Sequence, residues 1–292
     1  AIPATPSVDL GDDVKSKSAK SKSEPEHYTV KKDLTTGVEE TVYEDFPDTI
    51  KARTATLQTE PNSEGLLELP FTSPLLRASS WYEYDPQNYQ DAKTVFKLYI
   101  YSGQYLIEGS AFKISSTHIG TAGHCVYNRE ARGLNGFADK ILCVPAWRAS
   151  APYQPLGNAY ATNMQCGGNW YSSLDYEDDW GVIQLSNSVN TGYLGKRCVG
   201  DNNDMNGTAV RILGYPGGSS PMRVEVGKVT YTTRRWLLAD TSSPEGVSGA
   251  PVCDANKYII GILSAKAEHN GATRDLIVKF DNWIYNKMNS FY

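Results

Sequence analysis

The sequence has no run that approaches the roughly eighteen uncharged apolar residues a membrane helix requires, which excludes a helical span. It has no basic excess: 28 Lys and Arg face 33 Asp and Glu, a net charge of −5, so a protein that coats nucleic-acid phosphates by displacing counterions is excluded. Cysteine is scarce, at five in 292 residues, and none sits in a CxxC or CxxH pair, so no zinc site is expected. Charged residues at 21% and apolar residues at 40% exclude a coiled coil or a chain disordered throughout. The chain begins at Ala1 without a basic stretch leading into an apolar one; the expectation is that a signal peptide has been removed or the chain trimmed.

What is present changes character near residue 77. From Ala1 to about Thr59 the chain is polar, with the low-complexity run Ser16-Lys17-Ser18-Ala19-Lys20-Ser21-Lys22-Ser23, which cannot bury enough surface to offset its ordering entropy. A stretch with Pro61, Gly65, Pro70 and Pro74 follows and ends at Arg77-Ala78-Ser79-Ser80, a basic residue before small ones, as at a processing site. Residues 1–77 are therefore expected to be a partly disordered, propeptide-like leader. After it come short β-rich runs such as Thr94–Tyr101, Gly181–Leu185, Ala209–Leu213 and Tyr258–Leu263, separated by Gly, Asn and Ser. That pattern predicts an all-β barrel or sandwich. One apolar stripe of helical period, Ile277, Phe280, Ile284 and Met288, predicts a C-terminal helix.

Three short contexts carry chemistry. Thr121-Ala122-Gly123-His124-Cys125 offers a histidine able to act as general base when neutral, so activity is expected to rise through about pH 6 to 7. Asp178-Asp179-Trp180 places an acid at the mouth of a buried strand, where it can accept the other ring N–H and fix the tautomer. In Glu245-Gly246-Val247-Ser248-Gly249-Ala250-Pro251, glycines let the backbone turn tightly, so that the amides of Gly246 and Ser248 can point at one oxyanion. Each context alone is common. Histidine, then acid, then serine, at separations of 55 and 69 residues, is the chain order of one known triad arrangement and leaves room for several strands between each pair.

These contexts resemble the histidine and serine motifs of trypsin-like serine peptidases. The resemblance is closer to the V8-like glutamyl endopeptidases, through Asp179-Trp180-Gly181-Val182-Ile183, Gly192-Tyr193-Leu194-Gly195, Gly214-Tyr215-Pro216-Gly217 and Gly271-Ala272-Thr273-Arg274. It covers residues 78–292. It implies two antiparallel β-barrels of chymotrypsin type with a C-terminal helix, His124, Asp179 and Ser248 as the triad, secretion, synthesis as a zymogen, no cofactor, and protein or peptide substrates handled by a monomer. Cleavage between Arg77 and Ala78 would then free an amine that helps shape the specificity pocket. A catalytically silent homologue that binds partners through the same barrels is the alternative.

The sequence departs from that family at several places. The specificity pocket is expected from Ser242, Ser243, Leu263, Ser264 and Lys266; Leu263 stands where a histidine would receive an acidic substrate side chain, and Lys266 or Arg274 is left as a source of positive charge. The preferred P1 residue (the one preceding the scissile bond) is accordingly expected to be acidic or small and polar. Val247 replaces a polar residue beside the serine. Cys198 and Cys253 match the approximate positions of a family disulfide, and Cys143 and Cys166 flank a hairpin-like segment they could bridge, with Cys125 free or paired to Cys143 instead. Asn206-Gly207-Thr208 is a candidate glycosylation sequon. Asn202-x-Asp204-x-Asn206 has the opening of a calcium loop but Leu213 at its twelfth position, so no metal is assigned.

Overall fold

The computed structural model describes residues 7–9, 27–43, 81–86, 88–129, 136–201 and 203–291. The Lys-Ser run and the Arg77-Ala78 bond lie outside them. The strands in chain order are β1 (Ser7–Asp9), β2 (Tyr28–Asp33), β3 (Glu39–Tyr43), β4 (Trp81–Glu83), β5 (Val95–Ser102), β6 (Tyr105–Lys113), β7 (His118–Thr121), β8 (Tyr127–Asn128), β9 (Gly136–Phe137), β10 (Lys140–Pro145), β11 (Ala159–Gly167), β12 (Gly181–Leu185), β13 (Ala209–Gly214), β14 (Arg223–Thr232), β15 (Trp236–Ala239), β16 (Pro251–Asp254), β17 (Ile259–His269) and β18 (Ala272–Lys279). Helix α1 spans Gly168–Ser173 and α2 spans Asn282–Asn289.

Six strands close a first antiparallel barrel in the order β10-β5-β6-β7-β12-β11, with β11 returning to β10. Six more close a second, β17-β16-β13-β14-β15-β18, with β18 returning to β17. Closure removes the sheet edges that a β-rich chain must otherwise protect. The two-barrel architecture expected from the sequence is thus present. Its strands carry β-branched and aromatic residues whose inward members fill each barrel: Phe96, Leu98, Ile100, Phe112, Ile119 and Ile183 in the first, Val210, Ile212, Leu237, Val252, Ile260 and Ile277 in the second. Lys97 locks the two together. Its buried Nζ lies 3.4 Å from Glu108 Oε1, donates to Gly218 O at 2.7 Å in the second barrel, and sits 4.6 Å from the Trp147 ring centre. Burial pushes the Lys97 pKa down, although Glu108 opposes that.

Three findings differ from the sequence expectation. First, part of the leader is built into the fold. β2 and β3 form a hairpin whose first strand pairs with Asn163–Gly167 of β11, burying Thr29 and Val30. β1 adds in parallel to β17, Ser7 opposite Lys266. Second, the apolar stripe from Ile277 is not one helix. Ile277 belongs to β18, which is paired on both sides, and the helix starts only after Asp281, whose side chain caps the Ile284 N–H at 2.8 Å. Third, all five cysteines are free thiols. Cys143 faces Ala159 across β10 and β11, so Cys166 lies seven residues further along, roughly 23 Å at strand rise and far beyond bridging distance. Cys253 is buried in β16 beside Arg211, while the Cys198 thiol donates to Asn282 Oδ1 at 3.2 Å.

Candidate active site

The two strands that pair as Thr121 with Gly181, β7 and β12, deliver the histidine and the acid to one place. After β7 the chain makes a single 3-10 turn, Gly123–Cys125, that presents His124. Gly123 has no room for a side chain, since a Cβ there would stand 2.8 Å from Trp170 Cδ1 and 2.9 Å from Asp179 Oδ1. A second short turn, Tyr176–Asp178, leads Asp179 to the start of β12. Asp179 is fully buried and accepts three hydrogen bonds: from His124 N at 2.7 Å, from His124 Nδ1 at 2.8 Å, and from the Ser264 hydroxyl. With Nδ1 donating to the carboxylate, the neutral ring leaves Nε2 as its acceptor. Burial alone would depress the His124 pKa, but the Asp179 carboxylate outweighs it and holds the imidazole well above its ordinary value.

Ser248 sits half-buried on a loop fixed by its backbone. Its carbonyl accepts from Ser110 N at 2.8 Å and lies 3.7 Å from the Cys125 thiol, directly beside the histidine turn. Gly249, at φ 85°, approaches the first barrel so closely that a Cβ would fall 2.2 Å from Ser110 O and from Thr121 Oγ1. Gly246, at φ 88°, is packed against Gly217 N, and its carbonyl accepts from the Ser110 hydroxyl at 3.2 Å. Among the described residues the N–H groups of Gly246 and Ser248 have no internal acceptor, which leaves both available to an incoming anion. Val247 is fully buried in the second core against Gly214, so an apolar anchor holds this loop where a polar one was expected. Among the described residues no hydrogen bond joins Ser248 to His124; in an unliganded site such a contact is often long and tightens only when a ligand binds.

The residues expected to line a pocket separate into two groups. Ser242 is exposed, and Lys266 Nζ lies 3.5 Å from its hydroxyl. Ser243 is buried; its hydroxyl donates to Asp275 Oδ2 at 2.6 Å and its N–H reaches the same carboxylate at 3.0 Å. Ser242 N donates to Glu225 Oε1 at 2.8 Å. Beneath the serines, then, lie two buried acids that the sequence reading passed over. Desolvation pushes Glu225 up to about 7 and raises Asp275. Leu263 points into the second core, and Ser264 turns to Asp179 instead of the pocket. Arg274 lies in β18, opposite Ala267. Asn206 is exposed, its side-chain oxygen accepting from Thr232 Oγ1 at 3.2 Å.

Ser264 was expected in the pocket and not on Asp179; the contributors missed outright were Glu225, Asp275, Ser110 and Trp170. Of these only Trp170 carried a local signal, a large aromatic just ahead of the acidic motif. No helix among the described residues is long and apolar enough to cross a membrane.

The family described as a trypsin-like peptidase domain matches residues 109–262, just over half of the chain. An extracellular metalloprotease of Bacillus subtilis is 27% identical over 195 residues, 61% of this chain and 56% of that protein. A glutamyl endopeptidase of Bacillus licheniformis is 26% identical over 196 residues, 60% of this chain and 58% of the relative. The matches thus span less than two thirds of either relative's length. Among solved structures, a Glu endopeptidase superposes with a TM-score of 0.61 at 22% identity, covering 73% of this chain and 97% of the other. The protease Anisep from Arthrobacter nicotinovorans gives 0.58 at 18% identity, covering 72% and 98%. At these identities the two structures speak for the fold.

Proposed function

Because the chain belongs to the trypsin-like peptidase family, we propose that it is a secreted serine endopeptidase in which Ser248 attacks the scissile carbonyl, His124 carries the proton and Asp179 orients the imidazole. The hydrogen-bonded set of His124, Asp179 and Ser264, with the Ser248 loop docked onto the histidine turn, is the observation that supports this most. The steps follow from it. His124 Nε2 takes the Ser248 proton as Oγ bonds to the carbonyl carbon, and the oxyanion forms against the N–H groups of Gly246 and Ser248. The protonated imidazole, stabilised by Asp179, then returns its proton to the leaving amine. Water repeats the sequence on the acyl-enzyme and releases Ser248. A serine-directed phosphonylating reagent should label Ser248 alone; labelling elsewhere, or full activity in Ser248→Ala, sinks the assignment.

The preferred P1 residue is acidic or small and polar. Lys266 and the exposed Ser242 present an ammonium and a hydroxyl together, and the two acids beneath, both raised by burial, retain protons nearer neutrality than ordinary carboxylates do. Digestion of a peptide library tests this reading. Preference for Lys or Arg at P1 would refute it, and no cleavage of any peptide would favour the silent homologue. Activation by cleavage after Arg77 belongs to the same reading. The new amine at Ala78 would lie three residues before Trp81, whose backbone is in register with Glu225. N-terminal sequencing of the active species checks the bond.

A further inference from the structure

Residues 27–43 precede the expected cleavage point and are polar enough to pass for discardable leader. Their placement says otherwise. β2 pairs in register from Thr29 with Gly167 to Asp33 with Asn163, which is the part of β11 that leads directly into α1. Tyr28 donates its hydroxyl to Gly168 O at 2.8 Å, and its ring occupies the space a side chain at Gly168 would need, 2.4 Å from where that Cβ would stand. Two residues on, Trp170 meets His124 edge-on with ring centres 6.2 Å apart and anchors its indole N–H on Tyr127 O at 2.8 Å. The second N–H of the same helix, that of Asn169, donates to Asp178, whose other oxygen accepts from Trp180 on the far side of Asp179. His27 stacks on Trp283 at 4.6 Å, and Trp283 in turn packs edge-on against Trp180. The hairpin therefore bears on both segments that hold His124 and Asp179.

We propose that residues 27–43 remain in the working enzyme as a fixed part of the first barrel, with Tyr28 a positioning residue that holds α1 and Trp170 against His124. This rests on the serine-peptidase reading. A cut between residues 44 and 77 then leaves a two-chain enzyme instead of shedding the leader. The edge of β11 explains why the association should persist. Removing β2 would strip backbone partners from Asn163–Gly167 and expose Thr29, Val30 and the face they cover, and a bare edge of that length is an unstable ending for a barrel.

The test uses the full chain with a site-specific protease sequence placed between residues 50 and 77. After complete cutting, native size exclusion should show the fragment carrying residues 27–43 co-eluting one to one with the 78–292 fragment, the two separating only in denaturant. Active sites are then counted with the serine-directed reagent, so that kcat is read per labelled site. Tyr28→Ala should lower kcat per site by about tenfold or more, the scale expected when a catalytic group is slightly misplaced, with KM within about twofold and the acid limb of the kcat–pH profile displaced. Tyr28→Phe, which keeps the ring, should recover most of that loss, and Gly168→Ala, which pushes the ring away from the other side, should reproduce it. A merely structural Tyr28 would lower the labelled fraction and leave kcat per site and its pH profile unmoved, which overturns the positioning role. A leader fragment that elutes apart from a fully active 78–292 fragment overturns the retention. Both outcomes are distinct from failure of the peptidase reading, in which the wild-type chain labels at no serine while co-elution can still be scored.

Discussion

His124 and Asp179, at the ends of first-barrel strands, are held around one buried carboxylate by three hydrogen bonds, the third from Ser264 of the second barrel, and by an aromatic wall, whereas Ser248 and the amides proposed to bind the oxyanion are held mainly through backbone. The difference follows what each group must do. An imidazole that gains and loses a proton needs its tautomer and its charge managed, and only a charged, buried partner does both. An amide pair needs only to be aimed, and glycines at φ 88° and 85° on a tightly packed loop aim it, with the Ser110 hydroxyl holding the Gly246 carbonyl. Substitutions should thus act through electrostatics on one side and through sterics on the other.

The largest expected effect breaks the electrostatic side. Asp179→Asn keeps the shape but no longer stabilises the imidazolium or its tautomer, and kcat should fall about ten-thousandfold. The wild-type acid limb should lie above pH 6.5, because Asp179 raises His124 and the neutral base appears only above that raised value; in the variant the limb should move to lower pH. Steady-state kinetics across pH decide, and a loss below about tenfold would remove the distinction. Next comes the steric side. A Cβ at Gly246 would stand 2.4 Å from Gly217 N and demand a rare backbone conformation, so Gly246→Ala should cost about a hundred- to a thousandfold in kcat with Ser248 still present.

A third prediction compares the acids in the two barrels. Glu225, at about 7 against an ordinary 4.5, binds its proton more tightly in the folded chain. Its stabilising contribution is therefore complete below about pH 4.5 and is lost as pH rises through about 7. Glu225→Gln should flatten that decline by on the order of 2 kcal/mol, read from urea midpoints at several pH values. Asp178 in the first barrel is also pushed up to about 7 by burial, so a residual slope of the same sign should survive in the variant. Smallest is Ser264→Ala. It removes one of three donors to Asp179 and should lower kcat roughly tenfold or less, since the two His124 contacts remain.

How much of this could be read in the chain depended on how local each feature is. His124, Asp179 and Ser248 announced themselves because each lies in a short context whose residues serve the same turn. The barrels were legible because strand runs and turn residues alternate. Glu225, Asp275 and the partner of Ser264, which was read as a pocket residue, were not, since an isolated Ser or acid within a strand looks the same whether it faces solvent or a buried carboxylate; only the register of β17 with β18 and of β13 with β14 decides. The cysteine pairing failed for the same reason, because spacing in sequence says nothing of position along two paired strands. The hairpin at residues 28–43 did carry a signal, Asp33-Leu34-Thr35-Thr36-Gly37 between two alternating runs. Asp33 accepts from the N–H groups of Thr35 and Thr36, and Gly37 takes φ 74°. Its polar composition and its place ahead of Arg77 outweighed that signal.

The parallel pairing of β1 with β17 has a consequence for the order in which the molecule comes together. Ser7 finds its partner at Lys266, almost the whole chain away. Contacts that distant in sequence carry a large loop-closure cost and cannot form until the intervening chain is already compact. Residues 7–9 are thus among the last to be fixed, after β17 has joined β16 and β18 and the second barrel has closed. Until β17 is made and folded that strand has no sheet to join, and a truncation that removes β17 would leave it permanently without one.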